Sequence, residues 1–263
     1  MSLHGRPTGE FPRAPHESTP VTKPRTVTLL PGLLCDRAVW AAQQEMLADA
    51  RIVLPSYGTL SSITAMAEHV LAQVPAGPFA LAGHSMGGRV ALEVLRLAPQ
   101  RVERLALLDT GLDPLAAGQA GQAEREQRMA LLALAQAQGM RAMGRQWARG
   151  MVHPSRLGTP LFEDILDMIE RQTPQVFEAQ ISALLARPDA RELLPRIACP
   201  TLLLCGRQDA WSPLARHQHM HALLPGSRLV AVEDSGHMTT MEQPAAVSAA
   251  LHDWLEWTNF NAS

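Results

Sequence analysis

The chain has 263 residues, 46% of them hydrophobic and 18% charged, with a formal net charge of −2. That is enough apolar material for one sizeable core, and the near-neutral balance excludes the clustered positive charge that nucleic-acid binding needs. Only one of the 23 basic residues is a lysine, Lys23, which sets aside Schiff-base chemistry and phosphate loops of the G-x-x-x-x-G-K type.

Residues 1–24 carry Pro7, Pro12, Pro15, Pro20 and Pro24 among polar residues. Such a segment cannot bury enough surface to offset its ordering entropy, so a disordered leader is expected. It has no apolar signal-peptide core, and no run reaches the roughly 18 apolar residues of a membrane span. Cys35, Cys199 and Cys205 imply no disulfide framework. The expectation is a cytoplasmic protein with no membrane partner.

From Thr26 onward, short apolar runs alternate with longer stretches of helical period. Strands are expected at Thr26–Leu30, Arg51–Leu54, Pro78–Ala82, Leu105–Asp109, Thr201–Cys205 and Arg228–Val232. Helices are expected near Trp40–Ala48, Ile63–Gln73, Gly88–Ala98, Pro213–Leu224 and Pro244–Trp257. This alternation indicates an α/β fold with a mostly parallel sheet of about six strands, flanked by helices. Between Leu112 and Ile197 it stops. There the segments 122–137, 140–151, 161–172 and 174–186 all carry helical periodicity. An all-helical cap over 112–197 is therefore expected, dividing a core of 26–111 and 198–258. An excursion of roughly 85 residues is too long for an ordinary loop.

The stretch Phe79-Ala80-Leu81-Ala82-Gly83-His84-Ser85-Met86-Gly87-Gly88 runs from an apolar strand into a sharp turn and a helix. Its G-x-S-x-G core is the pattern of a nucleophile elbow, with glycines where a side chain would meet the neighbouring strand or helix. The turn would lift Ser85 Oγ above the sheet at a helix N-terminus. Serine is a poor nucleophile unaided and needs an oriented base. His237, in Asp-Ser-Gly-His-Met, and Asp209, in Cys-Gly-Arg-Gln-Asp, each follow an expected strand. Both thus fall at the sheet edge where ligands bind, in the order Ser, Asp, His that the elbow demands. Asp109 also follows a strand and is the alternative orienting carboxylate. His84 would be turned away from Oγ. An oxyanion needs two backbone donors: Met86 N–H, and one from the loop Pro31-Gly32-Leu33-Leu34, with Leu33 preferred and Leu34 the alternative.

Leu-Pro-Gly-Leu after the first strand, Gly-His-Ser-Met-Gly-Gly, Gly-Arg-Gln-Asp and Ser-Gly-His-Met together resemble the α/β-hydrolase superfamily. Among capped members the chain is similar to small serine carboxylesterases. The resemblance implies a Ser85–His237–Asp209 triad, a helical cap between two core strands, a small-molecule ester substrate and no cofactor. It departs in having Pro31-Gly32 where His-Gly is frequent. Met238 follows the histidine where C–C bond hydrolases commonly carry tryptophan, which ranks ester hydrolysis first. A thioester, lactone or C–C substrate is the enzymatic alternative, and a ligand sensor that retains the fold is the alternative of another class.

Leu34, Met238, Met143 and Trp147 are the candidate substrate-lining side chains, flexible methionines suiting an adaptable pocket, with ordinary helix packing the alternative for the cap methionines. The cap also holds several arginines that could include a carboxylate or phosphate clamp, or a solvated helical face. His217 and His221 share a helix face, but no third ligand accompanies them and no metal site is expected.

Overall fold

The computed structural model describes residues 25–257; the expected leader, residues 1–24, lies outside them. Strands β1 Thr26–Leu30, β2 Arg51–Val53, β3 Phe79–His84, β4 Val102–Leu108, β5 Thr201–Gly206 and β6 Arg228–Val232 form one sheet in the order β2-β1-β3-β4-β5-β6. Every neighbouring pair is parallel. The strands read as continuous apolar runs because helices cover both faces, and all of β3 and β5 is buried. The edge strands β2 and β6 open on exposed arginines, Arg51 and Arg228, charges that discourage pairing with another chain.

Helices α1 Ala41–Met46, α2 Ile63–Gln73 and α3 Met86–Leu97 connect the first four strands. Four more follow β4: α4 Gly118–Gln138, α5 Met140–Trp147, α6 Pro160–Glu170 and α7 Pro174–Leu185. The chain then returns through β5, α8 Leu214–Leu223, β6, α9 Thr239–Glu242 and α10 Pro244–Leu255. α2 packs on α3, which lies against β1, β3 and β4, while α10 packs on α1 and reaches β4, β5 and β6. Within the excursion, α4 and α6 both pack on α5, and α7 packs on α4.

Two boundaries differ from expectation for tertiary reasons. α3 begins at Met86, not Gly88, although Gly87 and Gly88 are poor helix formers; close packing at the elbow overrides propensity there. β4 begins at Val102, before Leu105, because Val102 and Arg104 pair with Phe79 and Ala80 even where the strand turns polar. The chain leaves β1 toward β2 on one side and reaches β3 on the other, so the loops after β1 and β3 diverge. That divergence opens a crevice at the C-terminal ends of the strands.

Candidate active site

Ser85 stands between β3 and α3 with φ 55° and ψ −118°. Such a backbone costs about 1–3 kcal/mol for a non-glycine residue, so its surroundings must enforce it. Ser85 N–H donates to Leu108 O at 2.9 Å, and Ser85 O accepts from Thr110 Oγ1 at 2.7 Å and Gly88 N at 3.0 Å. Glycine is needed on both sides. A Cβ on Gly83 would stand 2.3 Å from Gly87 O, and one on Gly87 would stand 2.2 Å from Leu30 O.

The elbow brings Ser85 Oγ to 2.8 Å from His237 Nε2, and His237 Nδ1 lies 2.8 Å from Asp209 Oδ2. Asp209 Oδ1 is held separately by Trp211 N–H and Ser212 N–H, each at 2.8 Å. Burial alone would raise the Asp209 pKa, but the facing His237 and these hydrogen bonds bring it below the ordinary value. An ionised Asp209 only accepts, so Nδ1 carries the proton and Nε2 is left to accept from the serine hydroxyl.

Asp109, the alternative carboxylate, has another task. Its Oδ1 accepts from Gly206 N–H at 3.0 Å and its Oδ2 accepts from Thr239 Oγ1. It thus braces the loops that carry Asp209 and His237 without hydrogen-bonding the imidazole of His237. Complete burial, and then the charge of Asp209, push the Asp109 carboxyl well above its usual range. His84 is turned away from Oγ: its Nε2–H donates to His237 O at 2.8 Å. Burial, followed by the neighbouring His237, brings the His84 pKa down to about 3, so the ring is neutral.

Glu242 organises the His237 loop from within α9. Its Oε1 accepts from Gly236 N–H at 3.0 Å and Met238 N–H at 3.1 Å, and its Oε2 accepts from His153 N–H at 2.7 Å. His237 N–H donates to Met151 O at 2.6 Å. The segment joining α5 to α6 is therefore bonded directly to the base loop. Burial raises the Glu242 pKa against the lowering effect of its three N–H donors.

Around Ser85 opens a cavity of about 930 Å³. Leu33, Met86, Trp147 and Met238 line it, whereas Leu34 and Met143 do not. Leu34 has φ 58° and its side chain is fully buried in the core; its N–H is taken by Gln180 Oε1 at 2.9 Å. That bond removes Leu34 as an oxyanion donor. The N–H groups of Leu33 and Met86 find no protein acceptor among the described residues. Met143 is fully buried in the core of the excursion, where α5 meets α4 and α6.

Three residues of the site carried no motif. Trp211 stacks on Trp147 with ring centroids 5.2 Å apart and lies 5.1 Å from the His237 ring; its place two residues after Asp209 was the available signal. Glu242 and Gln180 reach the site only through tertiary packing. His217 and His221 take separate partners: His217 Nε2 accepts from Thr110 N–H at 3.2 Å, and His221 Nδ1 pairs with Ser227 Oγ at 2.7 Å. No helix among the described residues is long and apolar enough to cross a membrane.

Comparison with known proteins gives a consistent picture. A family model described as the alpha/beta hydrolase family matches residues 17–250. The chain is 28% identical over 239 residues to a pimeloyl-[acyl-carrier protein] methyl ester esterase of Neisseria meningitidis serogroup B, covering 82% of this chain and 90% of that protein. Among solved structures it is similar to a thermophilic esterase from Thermogutta terrifontis, malate bound, with a TM-score of 0.77 and 29% identity over 88% of this chain and 89% of that one. An enol-lactonase from Burkholderia xenovorans LB400 shares the fold, with a TM-score of 0.76 at 19% identity over 91% and 94% of the two chains.

Proposed function

The chain belongs to the alpha/beta hydrolase family, and from that premise we propose that it is a serine hydrolase that cleaves a small carboxylic ester through an acyl-enzyme intermediate. The observation that carries this assignment is the unbroken relay at the strand ends. Ser85 Oγ, His237 and Asp209 are joined by two contacts of 2.8 Å, with the serine in a strained elbow. Esterase relatives that align over most of their length support the same reaction class.

His237 Nε2 takes the hydroxyl proton as Ser85 Oγ attacks the ester carbonyl. Asp209 holds the imidazole in the tautomer with Nδ1 protonated and stabilises the imidazolium that forms. The N–H groups of Met86 and Leu33 receive the oxyanion, at the positive end of α3. His237 returns its proton to the leaving alcohol, then activates water to release the acid and restore Ser85. No cofactor enters any step. Three cysteines without disulfide partners, Cys35, Cys199 and Cys205, suit a reducing compartment, and the enzyme is assigned to the cytoplasm.

The test is a panel of activated acyl esters, lactones and acyl thioesters, run on the wild type and on Ser85→Ala. Turnover of the esters that disappears with the hydroxyl is expected. Turnover that survives Ser85→Ala removes the nucleophile, and stoichiometric fluorophosphonate labelling without turnover replaces the enzyme by a ligand sensor.

A further inference from the structure

Beyond the reactive serine, the cavity wall is cationic. Arg128 and Arg187 line it, but Glu124 engages both: Arg187 Nη1 and Nη2 donate to it at 2.7 and 2.9 Å, and Arg128 Nη2 donates at 2.9 Å. Arg89 and Arg216 line the same cavity, and no carboxylate lies within ion-pair distance of either among the described residues. Arg89 Nη1 donates to the backbone carbonyl of Asp113 at 2.9 Å, and Arg216 Nη1 to that of Trp211 at 3.3 Å. Each guanidinium has five N–H donors, so most of the fork of each is unspent.

Two local features hold these cations beside the chemistry. Arg89 follows Ser85 by four residues on α3, a rise of about 6 Å along the helix. Arg216 lies across the backbone at Gly111, just beyond β4, where a Cβ would stand 2.7 Å from its Cδ. Desolvation, compounded by the charges of Arg187 and Arg216, outweighs the carboxylates of Glu124 and Asp113 and brings the Arg89 pKa down to about 9. A part-buried cation with no carboxylate in ion-pair contact is costly, and a bound anion relieves that cost.

We propose that Arg89 and Arg216 form an anion subsite, and that the ester cleaved at Ser85 carries a carboxylate or another oxyacid group a few bonds from the scissile carbonyl. The planar guanidinium fork matches such groups in two-point contact. The subsite refines the esterase assignment and, as a statement about substrate, rests on it.

Initial rates for matched esters test the subsite. One pair, 4-nitrophenyl hydrogen glutarate and its methyl-capped diester, places the charge on the acyl side. The other, carboxyphenyl acetate and its methyl ester, places it on the alcohol side. In the wild type the charged member of at least one pair is expected to be favoured by roughly 10- to 100-fold in kcat/KM, chiefly through KM. Arg89→Gln and Arg216→Gln should each shrink that preference by about ten-fold. A wild type with no preference in either pair overturns the subsite, as does a preference that survives both substitutions. If the wild type hydrolyses none of these esters, the esterase assignment fails separately. The subsite is then decided by calorimetric titration of glutarate and of inorganic phosphate into the wild type and Arg216→Gln. Binding weakened about ten-fold by the substitution upholds it, and equal or absent binding overturns it. Thermal melts establish that each variant is folded, and Arg216→Gln alone suffices where Arg89→Gln is not.

Discussion

At the strand ends, Ser85, Asp209 and His237 are held mainly by backbone groups: Leu108 O, the N–H groups of Trp211 and Ser212, and Met151 O. In the excursion between β4 and β5 the cavity-facing side chains are held by packing and ion pairs, as with Trp147 against Phe177 and Arg187 on Glu124. Backbone geometry leaves a reacting atom little latitude, whereas packed side chains can be exchanged with only local consequences. The strand ends are thus suited to carry the chemistry, and the helical excursion to enclose the cavity beside it.

The two regions should differ most at the elbow. Ser85→Ala should lower acyl-ester turnover on the order of 10⁴- to 10⁶-fold, with a melting temperature close to wild type. Near-wild-type rates would move the chemistry away from the strand ends. The two strand-end carboxylates should give the next largest effects. Asp209→Asn should cost roughly 10³- to 10⁴-fold in kcat by mis-setting the imidazole tautomer, while Asp109→Asn costs less than about ten-fold. The reverse ranking would exchange their roles.

The excursion should respond in stability rather than rate. Met143→Ala leaves a cavity in the packing of α5, worth about 2–5 kcal/mol in urea unfolding, with KM for small esters little changed. A KM shift without destabilisation would return Met143 to the cavity lining. Glu242→Gln tests the joint between the two regions. It removes one acceptor oxygen facing three N–H groups and should cost about 1–3 kcal/mol, loosening His237 and the segment at His153 together. Hydrogen exchange at those amides reads that coupling, and protection lost at only one of the two would uncouple them.

The smallest effect is a pH dependence. Folded Asp109 keeps its proton well above the ordinary aspartate value of 3.8, so the folded chain binds that proton where the unfolded chain has released it. Its contribution to stability is complete below that value and is lost as pH rises through the elevated folded-state pKa. Asparagine has no such proton to lose. The stability of Asp109→Asn relative to wild type should therefore grow as pH rises through that window, in melting temperatures taken from pH 4 to pH 9. A difference independent of pH would mean that Asp109 is ionised in the folded protein.

Much of the catalytic edge could be read from the chain because its requirements are local. Gly83 and Gly87 mark a turn that only glycine can flank, and Asp209 and His237 each follow an apolar run that had to be a strand. The choice between Asp209 and Asp109 was not local, since both end neighbouring strands. Tertiary structure decided it by giving Asp109 to Gly206 and Thr239 and turning Asp209 toward His237. The same holds for Leu34, whose N–H is lost to Gln180 across 146 residues, and for Met143, whose helical spacing fits an inner wall as well as a core. Periodicity says which face of a helix is apolar but not what that face meets. The sequence by itself thus determined the fold, the elbow and the order in which Ser85, Asp209 and His237 follow their strands. Only the packing of α4–α7 over the strand ends decided which arginines are neutralised by Glu124 and which two face the cavity without a carboxylate, because charge pairing between distant segments depends on distance in space.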